Sequence, residues 1–133
     1  MLFTHTLTVP ANTPEAAPYE EAVKMTHGVI TMVEVEFPPG CAGLVRAFVR
    51  RSLHQVWPTN PEGVFRTDGR AIRWADYYEI LDEPLELTVG GWSEDDFYPH
   101  DVIFYFELTP KDIAERGKVA AGAMNKIRQL LNM

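Results

Sequence analysis

Val29-Ile30-Thr31-Met32-Val33-Glu34-Val35-Glu36-Phe37, opened by His27-Gly28 and stopped by Pro38-Pro39-Gly40, is the most regular stretch of the chain. Successive side chains of a strand point to opposite faces, so a period of two sorts them into two sets. Val29, Thr31, Val33, Val35 and Phe37 form one set; Ile30, Met32, Glu34 and Glu36 form the other. Both carboxylates fall in the second, so the first is expected to face the core. Gly28 tolerates positive φ and proline cannot donate to a ladder, which marks the two ends.

The same pattern recurs on either side. Leu2–Val9 alternates, with Phe3, His5, Leu7 and Val9 on one face, and Pro10 ends it. Residues 11–18 hold Pro14 and Pro18 and read as a crossing connection or an extended arm, followed by a strand over residues 19–26. Residues 44–51 turn Val45, Ala47 and Val49 inward and the arginines outward, leaving Phe48 exposed between Arg46 and Arg50. His54–Trp57 is a short strand anchored by Trp57, and residues 58–63 are proline-rich loop. Asp68-Gly69, between Phe65-Arg66 and residues 71–74, is a hairpin signal. Residues 77–81 read as a short strand or a turn, and residues 85–89 as a strand with Leu85, Leu87 and Val89 inward. Gly90-Gly91-Trp92 admits a bulge, residues 93–100 form an acidic aromatic loop, and residues 101–108 carry Val102, Phe104 and Phe106 on one side.

Roughly eight strands at this spacing, with no helix between them, predict an all-β fold, an antiparallel β-sandwich of immunoglobulin-like or jelly-roll type. The spacing leaves both open, although the single cysteine, Cys41, excludes the immunoglobulin disulfide. The 133-residue length suits one domain, assigned to residues 1–108. Residues 109–133 are assigned to a C-terminal amphipathic α-helix. Thr109-Pro110-Lys111-Asp112 supplies a cap, a proline at the first helical position and an acid three residues after the cap. Ile113, Ala120, Met124, Ile127 and Leu131, with Gly117, make a narrow apolar stripe at spacings of three and four. Gly117 and Gly122 each weaken the helix by about 1 kcal/mol relative to alanine, so the stripe needs a partner. That partner is the chain's own sandwich, a neighbouring subunit or, as basic amphipathic helices permit, a membrane surface.

Charge and termini narrow the classes. Of the formal −7, residues 111–133 contribute five bases and two acids, or +3, leaving seven bases and seventeen acids, or −10, in the body. An acidic body repels phosphate, so the sandwich is not expected to bind nucleic acid. No run reaches the roughly 18 apolar residues of a membrane span. The N-terminus has neither a basic segment nor an apolar stretch of about 7 residues, so a soluble chain used without Sec export is expected.

The chemistry is sparse. His5, His27, His54 and His100 stand singly with no metal-ligand spacing, so no metal is expected. Glu94-Asp95-Asp96 with Asp101 offers oxygen ligands of the kind Ca²⁺ takes, but without EF-hand spacing a solvated acidic loop is favoured. Cys41 lies in a turn without a flanking base, and there is no nucleophile elbow, phosphate-cradling loop or distinctive carboxylate pair. No catalytic residue and no cofactor are assigned, and the chain is read as a non-enzyme.

The segments His5-Thr6-Leu7-Thr8-Val9-Pro10-Ala11-Asn12-Thr13-Pro14, Val35-Glu36-Phe37-Pro38-Pro39-Gly40-Cys41-Ala42-Gly43-Leu44 and His54-Gln55-Val56-Trp57-Pro58 resemble a group of small β-sandwich proteins from virus and phage genomes. The resemblance spans most of residues 2–108 and implies a virion accessory, decoration or connector role, located in the virion or cytoplasm. It implies no reaction.

Two functional classes follow. The first is a multi-copy structural subunit, a homo-oligomer or part of a larger assembly, whose loops, arm and helix contact other protein chains. The second is a ligand-binding module of carbohydrate type, with Trp92, Phe97 and Tyr98 as an aromatic platform and Asp95 and Asp96 as polar contacts.

Overall fold

The computed structural model describes residues 1–131, with the side chains of residue 121 and residues 124–128 outside the described part. In chain order the elements are β1 (Leu2–Val9), β2 (Tyr19–Lys24), β3 (Gly28–Phe37), β4 (Val45–Arg51), β5 (His54–Trp57), β6 (Arg70–Ile80), β7 (Glu86–Ser93), β8 (His100–Thr109) and α1 (Lys111–Leu131). The strands build two four-stranded antiparallel sheets, ordered β1-β8-β3-β6 and β2-β7-β4-β5. β1 pairs with β8, β2 with β7, β3 with β6 and β4 with β5. This nested pairing is that of an eight-stranded jelly roll, which decides between the two sandwich types.

The core lies between the sheets. Leu7, Val35, Phe37, Leu87, Val89, Phe104 and Phe106 are fully buried, each stabilising the fold by about 1.5–3 kcal/mol. Trp57 is 3% exposed. Its indole N–H donates to Asp76 Oδ2 at 2.7 Å, and its ring meets Tyr78 edge-on at 5.4 Å and stacks on Phe106 at 6.1 Å.

Four expectations are corrected. A register shift between Ile30 and Met32, against both β6 and β8, reverses the side-chain parity within β3. Ile30 therefore joins Val33, Val35 and Phe37 in the core, while Val29 leaves that set and Thr31 is only half-buried. Val29 is still fully buried, on the side where α1 packs against β3.

Residues 70–80 form one strand rather than two segments, because β3 pairs with them from Phe37 opposite Arg70 to Gly28 opposite Ile80, with only the register shift between Ile30 and Met32 interrupting the ladder. Phe65 makes only an isolated bridge to Ala47 in the other sheet, so Asp68-Gly69 turns a crossing connection and closes no hairpin. Asp68 Oδ1 instead accepts the Gly40 N–H at 2.9 Å.

Gly90-Gly91 holds regular register in β7 and forms no bulge. These glycines serve close approach: a Cβ on Gly90 would lie 2.5 Å from the Phe48 ring, and one on Gly91 2.9 Å from both the Arg46 carbonyl and Val9.

At the helix start, the Thr109 hydroxyl bonds the Thr31 hydroxyl at 2.9 Å, and α1 opens with the Ala114 N–H donating to the Pro110 carbonyl at 2.9 Å. Proline, lacking an N–H, loses nothing at that place.

Candidate functional site

Alternation along β4 and β7 puts Val45, Ala47, Val49, Leu87 and Val89 in the core, to which β5 adds the adjacent Val56 and Trp57. Arg46, Phe48, Gln55 and Trp92 are consequently turned to the outer face of sheet β2-β7-β4-β5. Arg46 lies opposite Trp92, and Phe48 opposite Gly90. The missing side chain at Gly90 lets the Phe48 ring lie against the strand. The Arg46 guanidinium stacks over the Trp92 indole at 4.7 Å and pairs with Glu94 at 3.2 Å, which explains why this outward arginine is 8% exposed. Cation–π contact between guanidinium and indole is attractive and holds the ring in a fixed orientation.

Trp92 and Phe48 line an open cleft of about 540 Å³, together with Glu15 and Pro18 from the proline-rich arm and residues 61–64 from the loop after β5. Gln55 builds that loop wall: its side-chain amide donates to the carbonyls of Pro58, Asn60 and Gly63 at 3.0, 3.2 and 3.0 Å. On the arm side, Asn12 N–H donates to the Asp95 carbonyl at 2.7 Å and Ser93 N–H to the Thr13 carbonyl at 3.0 Å, fastening residues 11–13 to the end of β7. Glu15 and Glu62 are exposed on opposite walls, and neither makes an ion pair among the described residues. The cleft is thus aromatic at its floor and anionic at its rims.

Of the five residues expected to form a ligand platform, only Trp92 reaches this cleft. Phe97 and Tyr98 are 82% and 69% exposed on the loop beyond β7. Asp95 organises that loop: its carboxylate accepts the N–H groups of Phe97 and Tyr98 at 2.9 and 3.2 Å and contacts His100 Nε2 at 2.6 Å. The Phe97 N–H, chiefly, and the His100 contact hold the Asp95 carboxyl below its usual pKa. Asp96 is exposed. Asp101 accepts the Thr8 hydroxyl at 2.7 Å, while Glu94 turns to Arg46. The acidic residues of the loop thus serve separate local contacts, and among the described residues no group of three His, Cys, Asp or Glu is placed to hold a metal ion. Burial pushes the Cys41 thiol pKa up, the opposite of nucleophile activation.

Glu15, Phe48, Gln55 and Glu62 are cleft residues that the sequence reading assigned to no site. The readable signal was Phe48 itself, an aromatic on the polar face of a strand.

The second surface is α1. Only Ala114 of its described side chains is buried, at 8% exposure. Lys111 lies 3.9 Å from Glu79, and the Lys118 ammonium sits 4.4 Å above the Tyr77 ring, both contacts rooting the helix on β6. Ile113 is 51% and Leu131 80% exposed, and Ala120 is exposed. Met124 and Ile127 complete the expected stripe, but their side chains lie outside the described residues. Among the described residues no helix is long and apolar enough to cross a membrane.

No known family and no curated protein matches the chain, so the resemblance to virus- and phage-associated sandwiches rests on the quoted segments alone. Solved structures with a similar chain trace include PirA, at 9% identity and a TM-score of 0.44 over 78% of this chain and 93% of that one. The Yersinia pseudotuberculosis-derived mitogen matches at 9% identity and a TM-score of 0.40, over 82% and 86%. The virus-like particle protein of Macrobrachium rosenbergii extra small virus matches at 13% identity and a TM-score of 0.30, over 82% and 80%. Likeness of this degree transfers no activity, and the functional reading rests on the chain's own surfaces.

Proposed function

We propose that this chain is a non-catalytic assembly subunit that self-associates through α1. The observation behind this is the helix itself: 21 residues, a rod of about 32 Å at 1.5 Å per residue, whose contacts with the sandwich among the described side chains come from its first turns, at Lys111, Ala114 and Lys118. Beyond the root, Val119, Leu130 and Leu131 are 72%, 65% and 80% exposed. A helix of this length with Gly117 and Gly122 in it is marginal in water without a packing partner. Body and helix carry opposite charge, which favours a contact between the helix of one copy and the body of another. The resemblance to virus- and phage-associated sandwiches extends the reading to a multi-copy accessory subunit of a particle. Carbohydrate-type binding has less support, because one platform residue of five lines the cleft.

The test is the mass in solution of the full chain and of the full chain carrying Val119→Glu and Leu131→Glu, by light scattering over a wide concentration range. A defined oligomer, lost in the variant with its β-sheet circular dichroism intact, is the expected result. A monomeric wild-type chain at every concentration would overturn the proposal.

A further inference from the structure

The cleft and the helix sit on opposite sides of the molecule. α1 is rooted on the outer face of sheet β1-β8-β3-β6, against β3 and β6, whereas Phe48, Gln55 and Trp92 open onto the outer face of sheet β2-β7-β4-β5. Two packed sheets stand about 10 Å apart, so a straight helix rooted on one outer face does not reach a cleft on the other. α1 therefore does not fill the cleft of its own chain.

The chemistry of the two surfaces is complementary. The cleft is floored by Phe48 and Trp92, flanked by Pro18, Pro61 and Val64, and rimmed by the carboxylates of Glu15 and Glu62, which make no ion pair among the described residues. Its own cations are engaged: Arg46 with Glu94, and Arg50 with Glu20. The last six residues of α1 contain two bases, Lys126 and Arg128, and two leucines, Leu130 and Leu131, that are 65% and 80% exposed. Over residues 111–133 the chain carries five bases against two acids, so this end of the molecule is basic and apolar where the cleft is acidic and aromatic.

We infer that the cleft at Trp92 receives the C-terminal turns of α1 from a second copy of this chain. The exposed leucines suit the aromatic floor, and the net positive charge of the helix suits the acidic rims at Glu15 and Glu62. The inference rests on the α1-mediated self-association proposed above and names the surface that accepts the helix. Because helix and cleft are different surfaces on opposite faces, the contact is head-to-tail. Such a contact propagates into a ring if the rotation closes and into a filament if it does not.

Charge reversal tests this in the full chain. Glu15→Lys with Glu62→Lys makes the cleft basic; Lys126→Glu with Arg128→Glu makes the helix end acidic. Each double variant alone opposes like charges, and association is expected to weaken by about tenfold or more, in line with the cost of juxtaposed charges at an interface. Mixing the two variants restores opposite charges at every contact, so oligomers should reappear in the mixture, and association of both wild type and mixture should weaken as salt is raised. If the helix variant dissociates the oligomer while the cleft variant leaves its mass unchanged, α1 still drives self-association but the Trp92 cleft is not its acceptor, and the inference falls alone. Failure of the mixture to recover oligomers likewise overturns it. A monomeric wild-type chain overturns both readings. Glu15 and Glu62 are exposed, and circular dichroism of each variant reports whether the sandwich is intact.

Discussion

Replacing Gly91 by alanine tests how the two sheets are brought together. Gly91 lies on β7 between Tyr19 of β2 and Ala47 of β4. A Cβ built there falls 2.9 Å from the Arg46 carbonyl oxygen and 2.9 Å from Val9 Cγ2, which belongs to the opposite sheet. Contacts that short require something to shift, and neither neighbour is the free end of a long side chain: one is strand backbone, and the other is fully buried. Overpacking a well-filled core costs about 1–3 kcal/mol. For a chain of this size each kcal/mol lowers the Tm by about 4 °C, so Gly91→Ala is expected to melt about 4–12 °C below wild type. The matched control is Gly117→Ala on α1, where an added Cβ meets nothing within 4 Å. There the change removes only glycine's helix penalty and stabilises the helix by up to about 1 kcal/mol. The assay is thermal and urea unfolding followed by far-ultraviolet circular dichroism. A Gly91→Ala protein as stable as wild type would refute the claim that close sheet approach selects glycine there.

Trp57→Phe removes the indole donor to Asp76 and leaves a void beside Tyr78 and Phe106; a loss of about 1–3 kcal/mol is expected in urea unfolding. The ionised Asp95 carboxylate is favoured by the fold, which depresses its pKa, so its contribution is fully present above the ordinary aspartate value near 4 and is lost as pH falls through the lower folded value. Asp95→Asn is therefore expected to flatten the fall in urea midpoint on acidification below about pH 4, and an unchanged acid limb would refute this. Ala114→Glu places a carboxylate in the one buried helix position among the described side chains and is expected to undock α1, seen as faster tryptic cleavage after Arg116 and Lys118.

Strand existence was legible from local alternation. Leu2–Val9 and the inward sets Val45, Ala47, Val49 and Val102, Phe104, Phe106 were readable because one face of each strand is apolar and the other is not. Trp57 as anchor and the start of α1 near Thr109-Pro110 were equally local signals. The inserted residue between Ile30 and Met32 was invisible, since a bulge changes which face a residue occupies without changing the residues. Trp92 read as part of a bulge leading into the aromatic loop, yet it is the penultimate residue of a regular strand, because the pair Gly90-Gly91 is selected by Phe48, Val9 and the Arg46 carbonyl, neighbours distant in sequence.

The sequence by itself determined an all-β chain with a terminal helix, an acidic body and a basic tail, because period, turn chemistry and charge are properties of neighbouring residues. Only the tertiary structure decided the jelly-roll pairing, the cleft shared by Phe48, Gln55, Trp92 and Glu15, and the placement of helix and cleft on opposite faces. Those depend on which strands meet across long separations, and a local pattern of apolar and polar residues is compatible with more than one such pairing.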